Sequence, residues 1–521
     1  MTRSSSRSLL AAGSALVLLL TACGAQSEPD QPSGDEPSGD EETPLAEREE
    51  FAEYYGQELS WEDCEGSRAC ASVTVPMDYS DPEGEQIEIE IISSETAQHD
   101  DADYLLTNPG GPGSSGYDIV ADQLNGTFTD AVTDEYDVVG FDPRGVHRSA
   151  PVQCLDDEGM DAYREQVQED DLDEEQAQEE AREQAAELAE DCEEGTGPVL
   201  EHVDTVSAVR DMDIIRAALG EDELNYLGFS YGTKLGMTYA EHYPGTVGRF
   251  VLDGMMDTSV DSHELELAQA RGFEDALQGY AEWCVEQEDC PVDGEPDEVI
   301  STVQDLFEQV HREPWEAPDG RSVTISVFVS GFILPMYDPQ GWEFLNEGLG
   351  AALNQGDFFH FQYWADQAAG RAQDGSYDWM SQLAFGAIMC LDYPVSSDPE
   401  DIEQEVEELT EAAPTFGPYL GHSGVTCDEW PHEPVGEPWE PEQAQQAGEM
   451  LMIGTTGDPA TPVQWAENMH ELVPESSLLI SEGEGHLAYR PGAECVTDLV
   501  EEYLLEGELF EGRQECPAPA S

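Results

Sequence analysis

Three side chains in this sequence have the types and settings needed to open an acyl bond. Ser230 lies in "LNYLGFSYGTKLG" (224–236), with one glycine two residues before it and another two after, between an apolar run and a helix-forming one. A turn that tight excludes side chains at both flanking positions, and it presents the serine at the start of a helix whose dipole favours developing negative charge. A hydroxyl becomes a nucleophile when a base takes its proton and an acid orients that base. His486, in "GEGHLAY", follows a buried run near the C-terminus and is the candidate base. Asp458, in "GTTGDPATP", ends the preceding run and is the candidate acid. Asp253, at the end of "RFVLDGM", is the rival acid. His360, His422 and His470 fall in helical or inserted settings, where structural or solvated roles are expected.

Acyl transfer also needs two backbone N–H groups aimed at the oxyanion. Tyr231 supplies one, and "NPGGPGSSG" (108–116) offers the other from Gly111, where glycine lets the main chain approach closely. As a phosphate cradle this loop lacks the Lys-Ser/Thr ending, and the acid of a dinucleotide site does not follow it. The sequence has no CxxC pairs or clustered His/Cys ligands, so no metal and no cofactor are expected.

The elements that must position these groups follow from periodicity. "CASVTVPMDY" and "QIEIEIIS" predict an opening hairpin, and "YLLTNPGG" and "YDVVGFDPRG" predict short buried strands. The Glu/Asp/Gln/Ala-rich stretch from Asp156 to Cys192 predicts solvated helix. "TVSAVRDMDIIRAALG" repeats apolar residues at steps of three and four and predicts a helix stopped by Gly220. Strands and helices alternate from there to about residue 254, stop, and resume at "EMLMIGTTGDPATP" and "SSLLISEGEGHLAY". The expected fold class is α/β with a mainly parallel sheet, its core split into 51–254 and 446–521 by a helical cap over 255–445. That cap falls between the sixth and seventh core strands.

"NPGGPGSSG", "GFDPRGVHRSAP", "YLGFSYGTKLG", "VLDGMMD", "GDPATP" and "GEGH" occur in this order between about Trp61 and Cys516. Together they resemble the secreted tripeptidyl aminopeptidases of actinomycetes, relatives of the prolyl iminopeptidases in the α/β-hydrolase clan. The resemblance implies Ser230 as nucleophile, His486 as base, Asp458 as orienting acid, and Gly111 with Tyr231 as the oxyanion hole. It also implies a TAP-like C-terminal region. Two positions depart from the pattern: His147 stands where glycine is usual, and Leu487 follows the histidine where glycine is common. The family holds a free α-amino group with carboxylates from its cap, for which Asp392 and Glu429 are the candidates here.

The charge balance is extreme, with 18 basic residues (one of them lysine, Lys234) against 116 acidic ones and a net charge of -98. Such a chain repels nucleic acid and anionic membrane surfaces. Its self-repulsion fades only in molar salt, where the screening length falls to about 3 Å, and a salty medium is the expected setting. Arg3 and Arg7 precede the apolar run Leu9–Leu20 and the box Leu20-Thr21-Ala22-Cys23, which reads as a lipoprotein signal (1–23) with Cys23 lipidated. Residues 24–50 then read as a disordered acidic tether. The membrane is met only through Cys23, outside the cell, and a monomer is expected. The ten remaining cysteines suit an oxidising compartment. Their order suggests Cys64–Cys70, Cys154–Cys192, Cys284–Cys290, Cys390–Cys427 and Cys495–Cys516. The expected activity is serine exopeptidase action on peptides with free N-termini. The alternatives are an esterase with the same triad and an inactive binding lipoprotein.

Overall fold

The computed structural model describes residues 44–518 except 65, 67, 95–102, 167–173, 397, 421–422, 437–438 and 440. Cys23, the signal segment, tether residues 24–43 and His422 lie outside the described residues. The strands, in chain order, are β1 (Glu62–Asp63), β2 (Ala69–Pro76), β3 (Gln86–Ser93), β4 (Asp103–Asn108), β5 (Tyr136–Phe141), β6 (Leu224–Phe229) and β7 (Val247–Asp253). After them come β8 (Trp315–Glu316), β9 (Ser322–Val323), β10 (Met450–Gly457), β11 (Ser477–Glu484) and β12 (Arg513–Cys516). β8 and β9 form a separate ribbon, and the other ten make one sheet in the order β1-β2-β3-β5-β4-β6-β7-β10-β11-β12. The β1–β2, β2–β3 and β3–β5 pairings are antiparallel. From β5 to β12 every pairing is parallel.

Side-chain alternation explains why these runs are apolar on both faces. On one face Leu106, Val139, Tyr226, Phe250, Leu252 and Met452 join a core beneath the helices Thr205–Leu219 and Tyr231–His242. Their neighbours Leu105, Val138, Leu227, Val251 and Ile453 point the other way, into a core with Phe128, Val496 and Leu504. Gly220 ends its helix in the left-handed conformation at φ 86, as expected of a glycine stop.

Between β7 and β10 the chain runs through helices and the β8–β9 ribbon, with a core of its own around Phe307, Phe328, Phe332, Phe361 and Phe416. These rings meet mostly edge-on or tilted, as in Phe307–Phe328 at 5.0 Å. All five expected disulfides are present. The tether ends earlier than its composition suggests. Short helical turns at Leu45–Glu47 and Glu49–Phe51 deliver Phe51 into the core at 1% exposure. One large buried ring anchors that acidic segment against solvation. Among the described residues no helix is long and apolar enough to cross a membrane.

Candidate active site

Ser230 occupies the turn from β6 into the helix Tyr231–His242 at φ 55, ψ −124, a conformation rare for a side-chain-bearing residue. Its amide donates to the Asp253 carbonyl at the end of β7 (2.9 Å), which ties the turn to the neighbouring strand. The flanking glycines are steric necessities. A Cβ on Gly228 would stand 2.5 Å from the Gly232 carbonyl oxygen, and one on Gly232 would stand 2.6 Å from that of Asn108. Gly110 is pressed against the same turn: its Cβ would lie 2.8 Å from the Tyr231 nitrogen and 2.9 Å from Ser230 Cβ. Gly111 follows at φ 106, open to glycine alone without strain. The loop is braced from behind, since the Ser115 hydroxyl donates to the buried Asp142, which Arg148 also engages at 3.1 Å. As the first residue of its helix, Tyr231 keeps an N–H with no carbonyl one turn back to bond.

His486 donates from Nδ1 to both Asp458 oxygens, at 2.9 and 2.8 Å. With the proton held at Nδ1, Nε2 is left as the basic nitrogen. Asp458 is itself fixed by the amides of Ala460 and Thr461 (2.9 and 2.8 Å) and the Thr461 hydroxyl (3.0 Å). Burial works against charging the imidazole, but the Asp458 charge and hydrogen bond outweigh it and raise its pKa above the ordinary value. The His486 amide donates to the Tyr337 carbonyl (2.7 Å), and the two rings meet edge-on at 5.5 Å. A Cβ on Gly254 would lie 3.2 Å from His486 Cε1. Gly254 directly follows Asp253, whose carbonyl holds Ser230, so both groups approach the end of β7, and no hydrogen bond between Ser230 and His486 is present among the described residues.

The rival acid has a different task. Asp253 is fully buried and accepts the amides of Ala488 (3.0 Å) and Tyr489 (2.8 Å), so it anchors the loop that carries His486. Burial raises its pKa to about 6. His360 and His470 belong to the helices Phe359–Ala368 and Val463–Leu472, and neither bonds to the Asp458–His486 pair.

The expected amino-group ligands do not gather with these groups. Asp392 is committed internally: its oxygens take the Thr205 amide (2.8 Å), the Thr205 hydroxyl and Lys234 Nζ (2.8 Å). Asp392 is therefore an ion-pair partner of the chain's single lysine, whose ammonium also sits 3.9 Å from the centre of the Tyr393 ring. Glu429 is half-buried in the turn after Ser423–Asp428, and no hydrogen bond among the described residues links it to Ser230 or His486. The two departures from glycine fall on left-handed backbone, His147 at φ 42 and Leu487 at φ 73. Glycine is usual there because the backbone asks for it. Sequence reasoning missed Tyr337, Gly254 and the anchoring role of Asp253. The carbonyl of Tyr337 has no sequence signature, but Asp253 carried one in its place at a strand end.

Two cavities are lined by the described residues. The larger, about 850 Å³, lies between the helices Thr205–Leu219 and Tyr231–His242 and includes none of Ser230, Asp458 or His486. The smaller, about 620 Å³, is lined by Gly111, Pro112 and Ser114 of the glycine loop and by Tyr337, so it adjoins the reactive groups.

A serine on a strained strand-to-helix turn and an acid-bound histidine, both carried by a mainly parallel sheet, mark a serine hydrolase of the α/β type. The family model for the alpha/beta hydrolase fold matches residues 103–332, and that for TAP-like proteins matches residues 413–516. Serine protease Hip1 of Mycobacterium tuberculosis is 33% identical over 87% of this chain and 89% of its own. Carboxylesterase B of the same organism is 33% identical over 84% of each chain. Tripeptidyl aminopeptidase of Streptomyces lividans is 30% identical over 86% of this chain and 84% of its own. The chain belongs to the α/β-hydrolase family, with a TAP-like C-terminal segment.

Proposed function

We propose that this protein is an extracellular serine exopeptidase that releases short peptides or single residues from free N-termini. Ser230 Oγ attacks the substrate carbonyl carbon as Nε2 of His486 takes the hydroxyl proton, and Asp458 orients and supports the resulting imidazolium. The N–H groups of Gly111 and Tyr231 receive the oxyanion. The tetrahedral intermediate expels the amine, which takes its proton from His486, and acyl-Ser230 remains. Water, deprotonated by His486, then attacks the ester and frees the acid and the serine. The observation that carries this reading is the doubly held Nδ1 of His486 at 2.9 and 2.8 Å from Asp458, which leaves Nε2 as its basic nitrogen.

The S. lividans relative's name, tripeptidyl aminopeptidase, supports the peptide and N-terminal parts of the reading. The helical segment between β7 and β10 acts as the cap, since its Tyr337 carbonyl holds the His486 loop. Cys23 carries the lipid anchor, and the five disulfides agree with an oxidising exterior. The net charge of -98 makes the folded chain depend on high salt. Esterase action is the second reading, favoured by the relative named carboxylesterase B. The test is a panel of peptides with free and acetylated N-termini, assayed at high salt on wild type and Ser230→Ala. Cleavage confined to free N-termini and lost in the variant is expected. Equal cleavage of both sets would remove the exopeptidase reading, and cleavage surviving in Ser230→Ala would remove the mechanism.

A further inference from the structure

The smaller cavity is chemically unlike the chain around it. Asp and Glu make up 116 of 521 residues, yet among the described residues none of them lines this space of about 620 Å³. The helices Ile325–Ile333 and Ser381–Asp392 each turn one face to it, through Ser326 and Ser330 and through Gln382 and Phe385. The phenols of Tyr163 and Tyr337 stay neutral, because burial raises both and pushes Tyr337 to about 12. Among the described lining residues the single charge is positive. It belongs to Arg164, which is tied to Asp366 (3.0 Å) and the Tyr377 hydroxyl (2.8 Å). Among the described residues Gln382 Oε1 is buried with no hydrogen-bond partner, an acceptor without a donor.

The side of the scissile bond follows from the walls. The acyl carbonyl oxygen must face Gly111, whereas the leaving amine must face His486 to take its proton. Among the described residues the cavity is lined by Gly111, Pro112 and Ser114 of the oxyanion loop, which puts it on the acyl side, with Tyr337 marking its border with His486.

We infer that this cavity is the acyl-side subsite, that it selects uncharged side chains and rejects lysine and arginine, and that Gln382 Oε1 accepts an N–H from the acyl segment. This rests on Ser230 being the nucleophile. The whole chain draws cations at a distance, but in molar salt that pull is screened within about 3 Å. Only touching groups then count, and a desolvated ammonium here meets neutral walls and a guanidinium already paired with Asp366, with no unpaired carboxylate among the described lining residues.

The test uses 4-nitrophenyl esters of alanyl-norleucine, alanyl-lysine and alanyl-glutamine with their N-termini left free, as the proposed exopeptidase requires. In molar salt, kcat/KM for the lysyl ester is expected at least tenfold below the norleucyl one, with glutaminyl within threefold. Gln382→Glu keeps the shape but adds the missing carboxylate, and it should raise the lysyl ester relative to the norleucyl one by about tenfold. Lysyl turnover equal to or above norleucyl in wild type would overturn the charge selection. An unchanged ratio in Gln382→Glu would overturn the role of Gln382. Ser230→Ala, run on the same esters, tests the reaction separately. A flat preference in an enzyme that this variant abolishes counts against the subsite alone.

Discussion

Two carboxylates stand at adjacent strand ends beside one imidazole, and their partners divide the labour. Asp458, after β10, receives the imidazole N–H directly and is fixed by neighbouring amides. Asp253, ending β7, receives only backbone amides, those of Ala488 and Tyr489. Both are buried, and both stand at the C-terminal ends of adjacent parallel strands. An acid that grips a side chain orients chemistry, whereas one that grips main chain orients a loop. Placement alone does not separate the two roles; the hydrogen-bond partner does.

Substitution should separate them most sharply in turnover. Asp458→Asn removes the acceptor that fixes the histidine tautomer and should lower kcat by about 10⁴-fold. Asp253→Asn, measured in the same assay, should cost less than about tenfold, because it leaves the imidazole's partner in place. Similar losses in both variants would erase the distinction. The next effect is expected at the contact between the two strand ends. A Cβ on Gly254, at φ 68, would stand 2.7 Å from Leu487 Cδ2 and 3.2 Å from His486 Cε1. Gly254→Ala should displace the imidazole and lower kcat/KM by about 10–100-fold. Leu487→Gly added to it should restore part of that loss, read by the same kinetics.

The pH profile sharpens the comparison further. The base must be neutral to act, and the Asp458 charge holds the His486 pKa above its ordinary value. The acid limb of kcat/KM should therefore have an apparent pKa above about 6.5, and Asp458→Asn should move it down. A limb at or below the ordinary value in wild type would contradict the ion pair. The smallest effect concerns stability. With its pKa raised to about 6, ionised Asp253 costs stability at neutral pH, and the cost is relieved as pH falls from about 6 towards 4. Unfolding of wild type against Asp253→Asn should show wild type gaining on the order of 2 kcal/mol relative to the variant over that window. A pH-independent difference would mean that Asp253 does not titrate in the folded chain.

Much of this centre could be read from the residues. The glycine pair around Ser230 and the strand ends before Asp458 and His486 are local patterns, because a sharp turn and an alternating strand leave composition behind them. The disulfide pairs followed from sequence order, because each bond joins one cysteine to the next along the chain. What escaped depends on contacts that only the fold creates. Asp392 looked free to bind an amine until the fold brought Lys234 to it from 158 residues away. The Tyr337 carbonyl, which holds the His486 amide, is invisible in sequence because every residue has one. The early end of the tether turned on a single ring, Phe51, in a stretch whose average composition is acidic.

The central claim is that Ser230 becomes an acyl-accepting nucleophile through His486 and Asp458. Its most direct test is intact-mass and peptide mapping after exposure to a fluorophosphonate in high salt. One adduct on Ser230, slowed at least a hundredfold in His486→Ala, is expected. An unlabelled Ser230 in folded protein, or labelling that His486→Ala leaves unchanged, would contradict it.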